Sequence, residues 1–460
     1  MTVERKFAGE FWLAESDGSR QDGELCVAPM SAPLVRTKGM LRSPWRPAGE
    51  SRSAGGRTFT SYEFAEERLI TPTVILGMDN AGTALTLLDA MTARHGGPDA
   101  TGMMQHHRGI RAIVGSHIDK DHRFTGVRVR LQNLEAWRHP LGAGRRAPEL
   151  ELADGGILTM TEVAEPDAAA SPHVWISVHS ASPASLRVLD RKVLRPLTTL
   201  FSLAIDTPCR PLAVQVQESP GLPWCDVYSA ALCADGSQAG PDAWDQAGWL
   251  LQPGDLGAPN VGAWLNRAGL LGPLPSVVAD LAHAPVVSLE TQVLQLTTVA
   301  EGLHRRLYPD DKRMEEPVAL NVRDAAAAAV AALHPKAADV VRGLLSHVEE
   351  PGYSGRLARL ASAAAEAVPG VTGRTSTWKA VVCEARNEFA HRLRRGPIDD
   401  ADVDRFLAVA ASLRWLLTGL LLREAGFEAS LVSARLAEHE PYLRLLASGR
   451  EWQPRIYRSA

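Results

Sequence analysis

Arg386-Asn387-Glu388-Phe389-Ala390-His391 is the stretch that decides how the C-terminal part of the chain is read. Trp378, Val381, Val382, Ala385, Phe389 and Leu393 recur around it at helical spacing, which predicts a helix with one buried stripe. Asn387 and His391 are four residues apart and share a helix face. Arg386 and His391 are five apart, about 140° round an ideal helix. They meet one ligand only if the long Arg side chain reaches back, the helix is distorted, or a second copy of the chain completes the site. Arg392, Arg394 and Arg395 follow at once and put positive charge where a phosphate backbone would lie.

Spacing alone says little. With 14 His and 42 Arg in the chain, roughly four Arg/His pairs with four to six residues between them are expected by chance. Three occur: Arg386/His391, Arg342/His347 and Arg111/His117. Context selects the first. Gly343, Leu344 and Leu345 fill the second, and the third falls in a strand-like region.

Working outward, the segments from Val261 onward are helical: Val261–Leu271, Ser288–Leu307, Val322–Ala332, Ala337–Val348, Tyr353–Ala367, Ser376–Leu393, Asp400–Arg423 and Glu428–Leu446. Turns at Pro309-Asp310, Pro335, Pro351-Gly352, Pro369-Gly370 and Gly396-Pro397 punctuate them. The pattern is that of an all-α bundle. Residues 5–140 instead read as short alternating strands, among them Phe11–Leu13, Gly23–Val27, Thr73–Leu76 and Ala84–Leu88. Residues 43–56, 139–148 and 164–172 read as loops. Val174–Val178 is a strand, Pro183 to Ala204 has helical spacing with Ser182 as N-cap, and Leu212–Val216 is again a strand. The expected fold class is α+β with two domains. An N-terminal β-rich antiparallel domain with a few helices covers residues 1–250, a linker 251–260, and an all-α domain 261–460.

Composition bounds the function. The apolar fraction is 45% and charged residues are 22%, as in a globular protein. The net charge of -4 excludes a bulk polycation, so any nucleic-acid contact comes from a local basic patch. Five Cys with no CxxC pair suggest neither a disulfide framework nor a zinc site, and a cytoplasmic location is expected. The apolar run Leu413–Leu422 carries Arg414 and reads as a core helix, so no membrane contact is expected. His106-His107 and Asp119-Lys120-Asp121-His122 match no metal-ligand spacing and read as solvated loops; no metal or cofactor is expected. Trp12, Trp137, Trp175 and Trp224 read as core anchors.

Residues 286–445 resemble the HEPN domain of ApeA-type antiphage proteins. Leu289 to Leu294 running into Ala300-Glu301-Gly302-Leu303-His304-Arg305-Arg306 is similar to that family's first long helix. Trp378 to His391, with Arg-Asn at its centre, is similar to its motif helix, and Leu420 to Gly426 closes the likeness. Gly9–Leu13 with Gly23–Leu25, Val74–Gly77 with Leu85–Asp89, and Leu131 to Trp137 resemble the companion N-terminal domain.

The chemistry of these residues agrees with that resemblance. RNA carries its own nucleophile, the 2′-OH. A ribonuclease working without a metal needs one group to move a proton and one to stabilise the charged phosphorane. His391 suits the first, because imidazole titrates near neutrality. Arg386 suits the second, because guanidinium grips phosphate oxygens in a fork and keeps its charge. The products are a 2′,3′-cyclic phosphate and a 5′-OH. Asn387 holds the imidazole or contacts the ribose, or is an ordinary polar position. Glu301 faces Arg386 or His391, or pairs with Arg305 one helical step on. Arg392, Arg394 and Arg395 are the expected RNA contacts. The resemblance implies a homodimer or higher homo-oligomer with two motifs meeting, a phage protein as trigger, and host RNA, tRNA above all, as substrate. The rival reading is a non-catalytic HEPN scaffold joined to a β-rich domain that binds a protein or glycan.

Overall fold

The structure, a computed structural model, describes residues 4–457 except 16–19, 44, 49–51, 55–56, 66, 96–103, 138–148, 164–172, 231, 233–247, 284–286 and 393–398. The loops expected at 139–148 and 164–172 lie outside the described residues. The chain divides into a first unit, residues 1–198, 209–243 and 253–262, and a second, 199–208, 244–252 and 263–460.

Apolar–polar alternation builds the first unit. Six strands come first: β1 (Arg5–Leu13), β2 (Gln21–Val27), β3 (Leu34–Thr37), β4 (Thr73–Asp79), β5 (Ala84–His95) and β6 (Gln105–Arg108). Antiparallel pairing runs β1–β2–β3–β6–β5–β4 and returns to β1, so the ring closes. Phe11, Leu25, Val35, Ile75, Leu85 and Leu87 fill its core. Strand contact is close at Gly9, where a Cβ would lie 2.0 Å from the Met78 carbonyl oxygen, so only glycine fits.

Opposite β4, the other edge of the long strand β5 serves two partners. Leu85–Leu88 pair with β7 (Arg111–Val114), and Met91–His95 pair with β6. The change falls at Asp89, whose φ of 53° bends the chain; Asp is among the few side chains that tolerate that region. From β7 the sheet continues through β8 (Arg123–Leu131), β9 (Leu150–Glu151), β10 (Ile157–Val163), β11 (His173–Ser185), β12 (Pro211–Gln217) and β13 (Cys225–Tyr228). Their order is β7-β13-β12-β8-β11-β10-β9, all antiparallel.

Three local readings are corrected here. His106-His107 is not a loop but part of β6, with ladders on both sides. Gln105 and His107 are buried because they are satisfied: the Gln105 carboxamide oxygen accepts from the Leu41 and Arg42 amides and pairs with His107 Nε2 at 3.0 Å. Residues 43–56 carry short strands, Trp45–Pro47 paired with Tyr62–Phe64 and Arg52–Ala54 with Arg57–Phe59. The helix expected from Pro183 begins at Leu186. Beyond a bulge, β11 pairs with β8 through Ser185, and the Ser185 hydroxyl, not Ser182, accepts from the Val188 amide. Of the four tryptophans, Trp137 and Trp175 are buried, while Trp12 and Trp224 are half-buried.

The second unit is helical: α1 (Leu274–His283), α2 (Leu289–Leu307), α3 (Glu316–Ala331), α4 (Pro335–Leu344), α5 (Tyr353–Ala364), α6 (Thr375–Asn387), α7 (Asp400–Glu424), α8 (Ala429–Leu436) and α9 (Glu440–Trp452). The protein is thus α+β, with β-rich antiparallel and all-α parts. A further helix, Ala258–Leu271, starts earlier than its apolar pattern suggests, with Pro259 in the first turn where a missing amide costs nothing. The single helix expected over 428–446 is two, parted at His439 because Pro441 starts a new first turn.

The central helix is α7, packed on α2, α5, α6 and α9. Asp399 and Asp402 form a reciprocal capping box at its start. Gly426, at φ 81°, ends it, and the Phe427 amide donates back to the Leu422 carbonyl. By length and composition α7 could cross a membrane, but its most apolar window is 78% buried in the structure, as befits a core helix.

Candidate functional site

Three helices converge on Arg386. It sits in the last turn of α6, whose Trp378, Val382 and Ala385 are buried. Trp378 Nε1 donates to Ser412 Oγ of α7 at 2.9 Å, which fixes the rotation of α6. The expected stripe is present from Trp378 to Phe389, with the Phe389 ring tilted against Phe406 at 4.6 Å between centroids and Val381 half-buried; Leu393 lies outside the described residues. Arg386 Nη2 donates to Glu301 Oε2 of α2 at 2.7 Å. Its guanidinium lies 4.4 Å from the ring centroid of Tyr353, the first residue of α5. The Tyr353 hydroxyl donates to the Thr297 carbonyl at 3.1 Å, and burial pushes its phenol pKa far up, so it stays a neutral donor.

Glu301 belongs to a chain of alternating charges. It also accepts from Arg305 at 3.4 Å, so two of the three partners weighed for it, Arg386 and Arg305, are present. Arg305 reaches Glu350 at 2.8 Å, and Glu350 also accepts from the buried Arg356. Burial alone would raise the Glu350 carboxyl, but the Arg356 hydrogen bond and the Arg305 charge outweigh it and hold it below its ordinary value. Arg386 and Glu301 stay about a quarter exposed, so the site is fixed yet reachable by solvent.

Beyond Asn387 the helix widens into a π segment, Glu388–Arg392. Such turns close i→i+5 hydrogen bonds and bring residues five apart closer together than an α-helix does. Of the three ways to reconcile Arg386 with His391, the backbone shows distortion. Arg405 of α7 secures the segment, 2.6 Å from Glu388, 3.0 Å from Asp402 and 3.5 Å from Glu384. Asn387 is exposed on the last α-helical turn. The side chains of His391 and Arg392, and all of Arg394 and Arg395, lie outside the described residues.

Residues 6–157 match the family described as ApeA N-terminal domain 1, and residues 294–431 match the Apea-like HEPN family. The chain is an ApeA-type protein. It is an ApeA-like defence protein with a HEPN module. Neither a curated protein nor a solved structure matches it. The HEPN match spans Glu301, Tyr353, Arg386 and the π segment, so the geometry above is that of the HEPN module.

The rival Arg/His pairs in this ApeA-type chain have other engagements. Arg342 pairs with Asp339 at 2.9 Å, while His347 is exposed and 3.5 Å from Glu350. His117 donates Nε2–H to the Gly77 carbonyl at 2.7 Å. Among the described residues, His347, Glu349 and Glu350 form the group with metal-ligand proximity. Glu350 is already held by Arg305 and Arg356, so an ion-pair network accounts for it. In the first unit a cleft of about 660 Å³ lies beside Arg20, Arg36 and Lys38, each within 3.8 Å of an acidic partner, Glu10, Glu24 and Asp22.

Two features carried no sequence signal. Tyr353 follows an ordinary Pro-Gly turn, and only the folded structure puts its ring under Arg386. Asp206 likewise gathers Arg414, His439 at 3.1 Å and His283 at 3.7 Å within the second unit.

Proposed function

We propose that the HEPN module is a metal-independent endoribonuclease that cuts host RNA, tRNA foremost, in antiphage defence. The observation that carries the reading is Arg386, pinned by Glu301 and Tyr353 two residues before the widened segment that holds His391. In this reading the 2′-oxygen attacks phosphorus and the bond to the 5′-oxygen breaks. His391 takes the 2′-OH proton, and the departing 5′-oxygen takes a proton from water and leaves as a hydroxyl. Arg386 faces the charge that grows on the non-bridging oxygens, its fork pre-set so that no reorganisation is needed as the reaction proceeds. Asn387 contacts the ribose or imidazole, and Arg392, Arg394 and Arg395 track the backbone of a single-stranded loop read by shape. Two copies bring two motifs together, and the N-terminal domain restrains them in the cytoplasm until a phage protein binds.

The test is cleavage of total cellular RNA by purified protein in excess EDTA, beside Arg386→Ala and His391→Ala. Cyclic-phosphate ends from the wild type alone support the reading. If neither the wild type nor wild type supplemented with phage-infected lysate cuts RNA, the scaffold reading takes its place.

A further inference from the structure

Strands β11, β8, β12 and β13 lie side by side in the first unit, and period-two alternation gives them two unlike faces. Val127, Val129, Ile176, Val178, Val214 and Val216 make one face apolar and buried. The other carries a polar row straight across the ladders. Ser177 of β11 stands opposite Arg128 of β8, Arg128 opposite Gln215 of β12, and Gln215 opposite Asp226 of β13.

Arg128 stands between two indoles. Its guanidinium carbon lies 4.6 Å from the ring centroid of Trp175 and 4.6 Å from that of Trp224. Trp175 shares a face of β11 with Ser177, two residues on. Trp224 comes from the turn ahead of β13, and the Gln217 carboxamide ties that turn down by donating to the Leu222 carbonyl at 2.6 Å. Gly126 makes the room: a Cβ there would lie 3.1 Å from both the His179 ring and Trp224. From below, Arg128 Nε donates to Gln215 Oε1 at 2.6 Å, and Gln215 Nε2 donates in turn to Asp226 Oδ1 at 2.7 Å. The cation therefore meets its carboxylate only through an amide. Among the described residues nothing accepts from Nη1 or Nη2, and neither nitrogen is sealed from solvent. Burial holds the Arg128 pKa below its ordinary value, with the Asp226 charge only partly opposing. A fork is thus fixed on both faces and along one edge, while its terminal nitrogens lack the acceptors that a part-buried cation normally has.

We infer that the open edge of Arg128, between Trp175 and Trp224, is a binding site for a carboxylate carried on an apolar or aromatic body. A guanidinium fork matches the two oxygens of a carboxylate. The Ser177 hydroxyl, on the next strand, supplies a further donor. The indoles give the rest of the ligand apolar walls, the usual make-up of a small-molecule site. Charge selects a monoanion. Arg128 is the one cation, Asp226 stands behind it, and burial lowers the His179 pKa from 6.5 against the pull of Glu149, so that ring stays neutral. A carboxylate balances this set, whereas a phosphate dianion meets the Asp226 charge uncompensated. The site is independent of the nuclease reading.

Isothermal titration of the full-length protein tests it, because the readout is heat of binding and needs no RNA cleavage. The probes are phenylacetate and acetyl-glycyl-phenylalanine, each beside its amide, and phenyl phosphate. At least one of the two acids is expected to bind saturably, and the tighter of them tells a free acid from a peptide end as the source. The amides are expected to bind about tenfold more weakly or worse, for want of the charge-assisted fork. Arg128→Met, which fills the slot between the indoles without a charge, is expected to cost about tenfold or more in affinity. Trp224→Ala, which removes one wall and keeps the cation, is expected to cost about fivefold. Should Arg128→Met lose its circular dichroism, Arg128→Lys replaces it with the same expectation, because an ammonium has no fork. Binding of neither acid to wild type, unchanged affinity in a folded Arg128 or Trp224 variant, or tighter binding of phenyl phosphate than of phenylacetate overturns the inference.

Discussion

Arg386 Nη2 and Glu301 Oε2 lie 2.7 Å apart although 85 residues separate them in the chain. The pair ties the motif helix to the first long helix of the HEPN module, and the Arg386 side chain stays about a quarter exposed. If Arg386 stabilises the phosphorane, Arg386→Ala is expected to cut the cleavage rate by about 10²–10³-fold, the scale for a lost oxyanion donor. Arg386→Lys is expected to recover little, because an ammonium cannot present a planar fork. Glu301→Gln keeps the shape and loses the charge, so a smaller loss of about tenfold is expected, that of a misplaced group. Single-turnover cleavage of one RNA substrate by the four proteins measures all of this.

The sequence made Arg386 and Glu301 visible through helical periodicity, since both stand where local spacing sets the face. It left Arg386, His391 and Arg305 open as partners for Glu301, and the structure contains the two arginines. What periodicity could not reach was contact between helices far apart in sequence, such as Tyr353 under Arg386. Strands were legible where apolar and polar residues alternate, as in β1, and illegible at Gln105-His106-His107. There a buried hydrogen-bond network replaces hydrophobicity. Barrel closure was equally hidden, because it rests on a single positive-φ residue, Asp89, within a strand that otherwise reads as continuous.

Tyr353 separates stacking from hydrogen bonding. Tyr353→Phe keeps the ring below Arg386 and removes the bond to the Thr297 carbonyl. A stability loss of about 1 kcal/mol is expected, with cleavage nearly unchanged. Tyr353→Leu removes the ring face, worth about 1 kcal/mol to a half-buried cation, and is expected to slow cleavage by about fivefold. Comparing kcat with thermal midpoint across the two variants checks the split. Equal activity losses in both would show that the ring does not position Arg386.

Arg405 tests whether the π segment is held from α7. Its guanidinium is 2.6 Å from Glu388 and 3.0 Å from Asp402. Arg405→Ala leaves two largely buried carboxylates without their cation, which is expected to cost on the order of 2 kcal/mol. Amide hydrogen exchange over 388–392 is expected to speed up, while exchange in the body of α7 beyond Val409 stays protected. Uniform acceleration along α7 would instead mark a general loss of packing.

Asp206 predicts how the helical unit responds to acid. Burial would raise its carboxyl, but the His439 hydrogen bond and the charges of Arg414 and His283 prevail and hold it below its ordinary value. That stability is present above the ordinary carboxylate range and lost only as pH falls below it. His283 acts sooner. Burial lowers its pKa from 6.5, with Asp206 opposing and Arg414 assisting, so the folded state resists protonation that the unfolded chain accepts. His304 is lowered in the same direction by burial, against the Asp311 hydrogen bond. Below pH 6.5 the unfolded chain thus binds more protons, and stability falls as pH falls. The thermal midpoint is expected to drop between pH 7 and 5.5 in wild type. His283→Asn/His304→Asn is expected to flatten that slope. Asp206→Ala strands Arg414 and His439 without their shared anion, with an expected cost on the order of 3 kcal/mol at pH 7. A midpoint that rises on acidification over this window would reverse the assignment of the two histidines as neutral in the folded state.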